Sequence, residues 1–275
     1  MHAVLMCPVC SLPLLIGQRS YQCINNHGFD IAKEGYVNLL LAHQKHSQQP
    51  GDNYQMIKSR RSFLEKGYYN PLIDHLKDLI LPYSSTIKEY TLLDAGCGEG
   101  YYLGQLLNQI KSRVNAFGMD ISKEAIKLAA KRYRKSFFVV GSIAQLPFLD
   151  SSIDMLINIF APRNPFEFHR ALAADGCLLL VTPAEGHLQQ LREIIYDKVT
   201  AYNVTAEDDL VKHFYLKETR EVSFNLVINA AQDITELLQM TPFYWSASQE
   251  AQERIMKLNQ LETTIAFSIQ LYQKI

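Results

Sequence analysis

The 275-residue chain is 48% hydrophobic and 20% charged with a formal net charge of −1, an ordinary globular composition with room for one large domain and a small appendage. No apolar run approaches the ~20 residues that span a bilayer, and the N-terminus lacks the basic flank, apolar stretch and cleavage site of a secretory signal. Five cysteines, an odd number, without an export signal are expected of a protein kept in a reducing cytoplasm.

The near-neutral total hides an asymmetry. Residues 1–70 carry 7 Lys+Arg against 4 Asp+Glu, and residues 71–275 carry 20 against 24. A modest basic excess is ordinarily just a solvated surface; it gains meaning only beside other signs of a polyanionic partner.

The first predicted unit is CPVCSLPLLIGQRSYQCINNH, which spaces Cys7, Cys10, Cys23 and His27 as C-x2-C-x12-C-x3-H. Two thiolates on one C-x2-C turn and a second pair beyond a hairpin can close a tetrahedron around zinc. Gly17 permits that hairpin between LPLLI and SYQC, and Asn25, Asn26 and Gly28 supply the second turn. So short a segment buries little apolar surface, and structural zinc, worth roughly 10–16 kcal/mol, would hold it together. A redox C-x-x-C would need neither Cys23 nor His27. Four protein ligands leave no open position, so the metal is expected to be architectural.

The polar run HQKHSQQPGDN follows, rich in turn-formers and without apolar periodicity. It reads as a loop, within a linker or lid segment at 41–70 between a zinc module at 1–40 and a catalytic domain at 71–275. The basic residues Lys33, Lys45, Lys58, Arg60, Arg61 and Lys66 could hold nucleic-acid phosphates. Tyr21, Phe29, Tyr36 and Phe63, interleaved among them, could stack on bases, although core packing is the plainer role.

At YTLLDAGCGEGYY a short buried strand is expected to run into a turn with Gly96, Gly98 and Gly100, and then a helix. Such a turn lets backbone amides approach a ligand. NAFGMDIS is a second apolar segment, ending in Asp120, 24 residues after Gly96; an acid there holds a ribose diol in nucleotide-binding α/β folds. Ser122 is a plausible N-cap for a helix whose Ala125, Ile126, Ala129 and Ala130 share a face. FFVVGSIAQLPFLDSSIDMLINIF continues the α/β alternation. Near the end, Val222, Phe224, Leu226 and Ile228, and then Ile265, Phe267, Ile269 and Leu271, alternate as in strands.

This run resembles the class I S-adenosylmethionine-dependent methyltransferases, with Asp94 two residues before the first glycine. The whole chain resembles the RlmA type of 23S ribosomal RNA guanine-N1 methyltransferases through CPVC…C…H, FDIAKEGYVNLL, PGD, RRSFLEKGYYNPL, LDAGCGEGYY, AAKRY and LLQMTPF. It departs from relatives at NIFAPRNPFEF and AADGC. The resemblance implies an α/β fold: a Rossmann-like, mostly parallel seven-stranded sheet with a terminal antiparallel hairpin, plus a small N-terminal zinc-binding module. It implies S-adenosylmethionine as cofactor, structural zinc on Cys7, Cys10, Cys23 and His27, a helix 35 hairpin of 23S rRNA as partner, and a homodimer. The cofactor residues carried over are Tyr69, Asp94, Gly96, Gly98, Gly100, Tyr102, Leu103, Asp120, Ser142, Ile143 and His187. Asn158 is a substrate-side candidate; no general base stands out. Two rivals stay open here: a small-molecule methyltransferase, and a non-catalytic zinc-containing RNA-binding protein.

Overall fold

The computed structural model describes residues 4–44, 51–84, 90–110, 113–196 and 207–275. A small antiparallel sheet comes first: β1 (Leu15–Ile16), β2 (Ser20–Gln22) and β3 (Gly28–Asp30), with the backbone of Gly17 closing the β1–β2 hairpin onto Ser20 O at 2.8 Å. The chain then contributes β4 (Tyr36–Asn38), α1 (Tyr54–Glu65) and α2 (Asn70–Ser84) before the α/β alternation starts. That alternation comprises β5 (Tyr90–Ala95), α3 (Tyr101–Gln109), β6 (Val114–Asp120), α4 (Lys123–Arg132), β7 (Ser136–Val140), β8 (Ile153–Ile159), α5 (Pro165–Ala171) and β9 (Leu172–Pro183). After α6 (Gln189–Ile195) and α7 (Glu207–Leu210), the long β10 (Phe214–Ile228) runs to α8 (Ala231–Gln239), α9 (Phe243–Ser246) and α10 (Gln249–Met256), and β11 (Leu261–Lys274) returns.

The large sheet has the order β10-β11-β9-β8-β5-β6-β7-β4. Strands β9 to β7 are parallel, while β11 is antiparallel to both β9 and β10. This is the expected class I methyltransferase sheet of seven strands and a terminal hairpin, with one strand more. The eighth is β4, which pairs in parallel with β7 in the register Tyr36↔Phe138, Val37↔Val139, Asn38↔Val140. Residues 1–40 are therefore not a detached module: their last strand is the edge of the catalytic sheet.

A parallel sheet must be covered on both faces, and alternate strand residues divide between two cores. Leu92, Phe138, Ile157 and Leu179 pack with Leu72, Leu76, Leu103, Ile126 and other helix residues. Their neighbours Leu93, Val139, Leu156 and Leu178 pack with Phe168 and Ala171 of α5 and with Leu5, Cys7, Leu14 and Cys23 of the front module. The zinc module thus forms part of the second covering layer. Backbone bonds from Met6 N to Pro147 O (3.0 Å) and from Leu149 N to Val4 O (2.9 Å) fasten it there.

The 41–70 segment is not all loop, because α1 occupies 54–65. Asn53 caps that helix by accepting from Met56 N at 3.0 Å. The turn before it is docked: a Cβ on Gly51, whose φ is +82°, would lie 3.0–3.1 Å from Ile121 and Ser122. Lys45 and the rest of residues 45–50, where the loop was expected, lie outside the described residues.

Candidate active site and metal centre

The strand order reverses between β5 and β8, which leaves a crevice at their carboxyl ends. A cavity of about 960 Å³ opens there, near the upper end of the range of about 300–1,000 Å³ for small-molecule sites. Gly96, Gly98 and Glu99 of the turn after β5 line one end with Asp120 at the tip of β6 and Asp52 and Arg60 from the segment before the sheet. Ser142 and Ile143, beyond β7, line a side wall. Phe160, Pro162, Arg163, Thr182, His187 and Phe243 also line the cavity.

The glycine turn is held by the acid that faces it. Asp120 Oδ2 accepts from Gly98 N at 2.9 Å and Oδ1 from Ser122 N at 2.8 Å, so the carboxylate is fixed in orientation while lone pairs remain on both oxygens. Burial raises its pKa, and those two N–H groups oppose the shift. Glu99 is only 4% exposed and its Oε2 has no hydrogen-bond partner among the described residues; burial raises its pKa as well, with the charge of Arg60 working the other way. Arg60 pairs with Asp52 at 2.5 Å. Burial disfavours its charge, but Asp52, Glu99 and Asp120 outweigh that, and its pKa is raised.

Phe267 on β11 organises an aromatic wall. Its ring, fully buried, lies 5.1 Å from that of Tyr69, 5.1 Å from Phe160 and 4.9 Å from His187. Phe160 has φ +52° and Leu188 φ +54°, left-handed backbone that non-glycine residues adopt at a cost of about 1–3 kcal/mol each and that clusters at functional sites. His187 Nδ1 accepts from Ala266 N at 3.2 Å, so the neutral ring carries its proton on Nε2. Burial, aided by the charge of Arg192, pushes its pKa down to about 4.

At the front, the ligand atoms of Cys7, Cys10, Cys23 and His27 all lie within 4.8 Å of one another. Cys10 Sγ is 3.6 Å from Cys23 Sγ, and His27 Nδ1 is 3.6 Å from Cys7 Sγ and 3.4 Å from Cys23 Sγ. Tetrahedral zinc, with bonds of about 2.3 Å to sulfur and about 2.0 Å to nitrogen, sets edges of about 3.8 and 3.5 Å. The donor set fits a closed zinc site with His27 binding through Nδ1.

Residues 5–48 match the family model described as RlmA, N-terminal, and residues 87–259 match that of a methyltransferase domain. A Bacillus subtilis protein named "Putative 23S rRNA (guanine-N(1)-)-methyltransferase YxjB" is 30% identical over 277 residues, which cover 98% of this chain and 96% of that one. The chain belongs to the 23S rRNA guanine-N1 methyltransferase family. Another member, the 23S rRNA (guanine(748)-N(1))-methyltransferase of Streptomyces fradiae, is 34% identical over 188 residues, 68% of this chain and 66% of its own.

In this methyltransferase Tyr69, Gly96, Gly98, Tyr102, Asp120, Ser142, Ile143 and His187 come together around this cavity. Asp94, Gly100, Leu103 and Asn158 do not border it. Asp94 is 1% exposed beneath the turn, its pKa raised well above the carboxylate range by burial and by Asp120 and Glu99. Gly100 serves packing: a Cβ there would lie 3.1 Å from Ala129 and from the Phe138 ring. Leu103 is fully buried on the inner face of α3. Asn158 donates to Ala95 O at 2.7 Å and Pro162 O at 3.0 Å, and so braces the switch point from below.

For the aromatics of the front region the plainer expectation holds: Tyr36 and Phe63 are buried, and Tyr21 packs edge-on against Phe137, 5.5 Å between centroids, so these rings belong to the core. Among the basic residues, Arg60 turns into the cavity, Arg61 pairs with Glu65 at 2.7 Å, and Lys66 pairs with Asp233 and Glu236; Lys33 and Lys58 remain exposed. Sequence reasoning missed Asp52, Arg60, Glu99, Phe160 and Phe243 as lining residues. Glu99 lies inside the GCGEG motif itself, a signal present but unread; Phe243 is brought in only by the α8–α9 excursion between β10 and β11.

Proposed function

We propose that this protein transfers a methyl group from S-adenosylmethionine to N1 of a guanine in 23S rRNA, in the loop of helix 35, in the cytoplasm and as a homodimer. The observation that carries the reading is one cavity lined by a glycine turn, an acid fixed in orientation at the tip of β6 and an aromatic wall, in a chain of this family. The match runs through the front module, for which a small-molecule methyltransferase has no use, and an open cavity is not what a vestigial cofactor fold would keep.

S-adenosylmethionine supplies an already activated methyl group. The protein's own contribution is to align it with the base, an effect of proximity. Asp120 accepts the ribose hydroxyls on lone pairs left by its two backbone donors. Ser142 and Ile143 flank the adenine, and Tyr69, Tyr102 and the Nε2–H of His187 bound the methyl side. Phe160 receives the face of the guanine, which must leave its stack to enter. His187 is not the base that takes the N1 proton, since its one lone pair is engaged by Ala266 N–H. Lys33 and Lys58, both exposed, would meet phosphates. The front module leaves Val9, Leu15, Ile16 and Ile24 exposed, apolar surface that pairing of two copies would cover.

The test is methyl transfer from tritiated S-adenosylmethionine to 23S rRNA fragments with and without helix 35, read with reverse transcription, which N1-methylguanine stops. Label and a stop on the helix 35 fragment alone are expected; label on neither fragment refutes the assignment. Sedimentation at micromolar protein tests the dimer.

A further inference from the structure

Three charged side chains at the glycine-turn end have no part in the account above: Asp52, Arg60 and Glu99. We propose that Arg60 and Glu99 are a clamp for the zwitterionic amino-acid end of the cofactor, the guanidinium taking the carboxylate and the Glu99 carboxylate taking the ammonium. The proposal rests on the S-adenosylmethionine reading and adds to it the residues that recognise the methionine moiety.

Arg60 projects from α1 to the turn, close enough that its Nη1 would lie 3.3 Å from a Cβ on Gly98. Asp52 Oδ2 meets it at that nitrogen, 2.5 Å away. A guanidinium offers five N–H donors, so one carboxylate partner fixes its direction without exhausting it. Asp52 is itself held, its carbonyl accepting from Ser122 Oγ at 3.3 Å beside the docked Gly51. Glu99, on the turn, lines the same end of the cavity, and its buried Oε2 has no donor among the described residues. Buried carboxylate oxygens are almost always hydrogen-bonded, so a cavity-lining carboxylate with an unmet oxygen retains capacity for a donor on the ligand.

The sign of the charge decides what ligand fits. Arg60 shares this end with Asp52, Glu99 and Asp120, three carboxylates against one guanidinium. An RNA phosphate brought to Arg60 would meet all three. A ligand with a carboxylate for Arg60 and positive charge for the rest is complementary, and S-adenosylmethionine has one carboxylate, one ammonium and a sulfonium. Asp52 is a positioning residue here; Arg60 and Glu99 touch the ligand.

The experiment is calorimetric titration of the zinc-loaded full chain and its Arg60→Met, Arg60→Lys and Glu99→Gln variants. The probes are S-adenosylmethionine, S-adenosylhomocysteine, decarboxylated S-adenosylmethionine, which lacks the carboxylate, and a deaminated homocysteine analogue, which lacks the ammonium. Arg60→Met is expected to weaken the first two about 10- to 100-fold, the scale of one charge-assisted hydrogen bond, and the decarboxylated probe about twofold or less, with Arg60→Lys between. Glu99→Gln is expected to show the opposite selectivity, sparing only the deaminated probe. Equal losses on all four probes, or none, in variants with native zinc content and melting overturn the clamp. Failure of the unaltered protein to bind any probe overturns the cofactor reading on which it stands.

Discussion

His187 shows how one side chain's surroundings decide its chemistry. Its pKa is lowered from 6.5 to about 4 by burial and by Arg192. The unfolded chain therefore takes up a proton as pH falls through 6.5, while the folded chain resists until about 4. Stability contributed by the neutral ring is complete above 6.5 and lost progressively down to about 4, on the order of 3 kcal/mol in all. Replacement of His187 with Gln is expected to flatten the rise of the unfolding midpoint between pH 4 and 6.5, measured by urea titration across that range; an unchanged slope would place the dependence elsewhere. Phe160 calls for a different test. If its strained backbone exists to present a ring to the base, Phe160→Ala should lower kcat/KM for the RNA about 10- to 100-fold, the scale of one base–aromatic stack, and leave S-adenosylmethionine affinity within about twofold. Equal loss of both would show that the ring only seals the cavity.

Among the elements, the glycine turn divides its labour in a way that its three-fold motif conceals. Gly96 and Gly98 border the cavity, whereas Gly100, φ +80°, lets α3 start against α4 and β7. Gly100→Ala would force a Cβ into Ala129 and the Phe138 ring as well as strain the backbone, a cost of about 1–3 kcal/mol. Thermal melting should show a midpoint lower by several degrees, with calorimetry finding the cofactor affinity of the folded fraction intact. A large affinity loss without destabilisation would return Gly100 to the binding surface. β11 carries another part of the site: Phe267 holds Tyr69, Phe160 and His187, residues from three separate segments, and Ala266 N fixes the His187 tautomer.

For the molecule as a whole, the zinc module is a structural layer and not an appendage. Cys7 and Cys23, two of the zinc ligands, belong to the same core as Leu93, Val139 and Leu156 of the catalytic sheet, and β4 pairs with β7, whose end leads to Gly141, Ser142 and Ile143 on the cavity wall. Metal loss should therefore be felt throughout. Cys10→Ser, or chelation of the zinc, is expected to lower a single cooperative melting transition of the full chain, followed by calorimetry. Two resolved transitions, the upper one unmoved, would mean that the module unfolds by itself.

Much of this was legible in the order of residues alone, because it depends on local spacing. The C-x2-C-x12-C-x3-H set, the glycine turn after a buried strand, Asp120 at the end of the next, the Ser122 cap and the alternating strands of the terminal hairpin are short-range patterns, and each lies where its spacing put it. What needed the tertiary structure is whatever depends on which side chain faces which distant neighbour. Arg60, in a basic run, could not be known to turn inward until Asp52 and Glu99 were seen around it; Asn158, chemically apt, proved to brace the end of β5, and Asp94 proved to be buried away from the cavity. The joining of β4 to β7 is decided by pairing across about a hundred residues, and a three-residue strand cannot announce its partner.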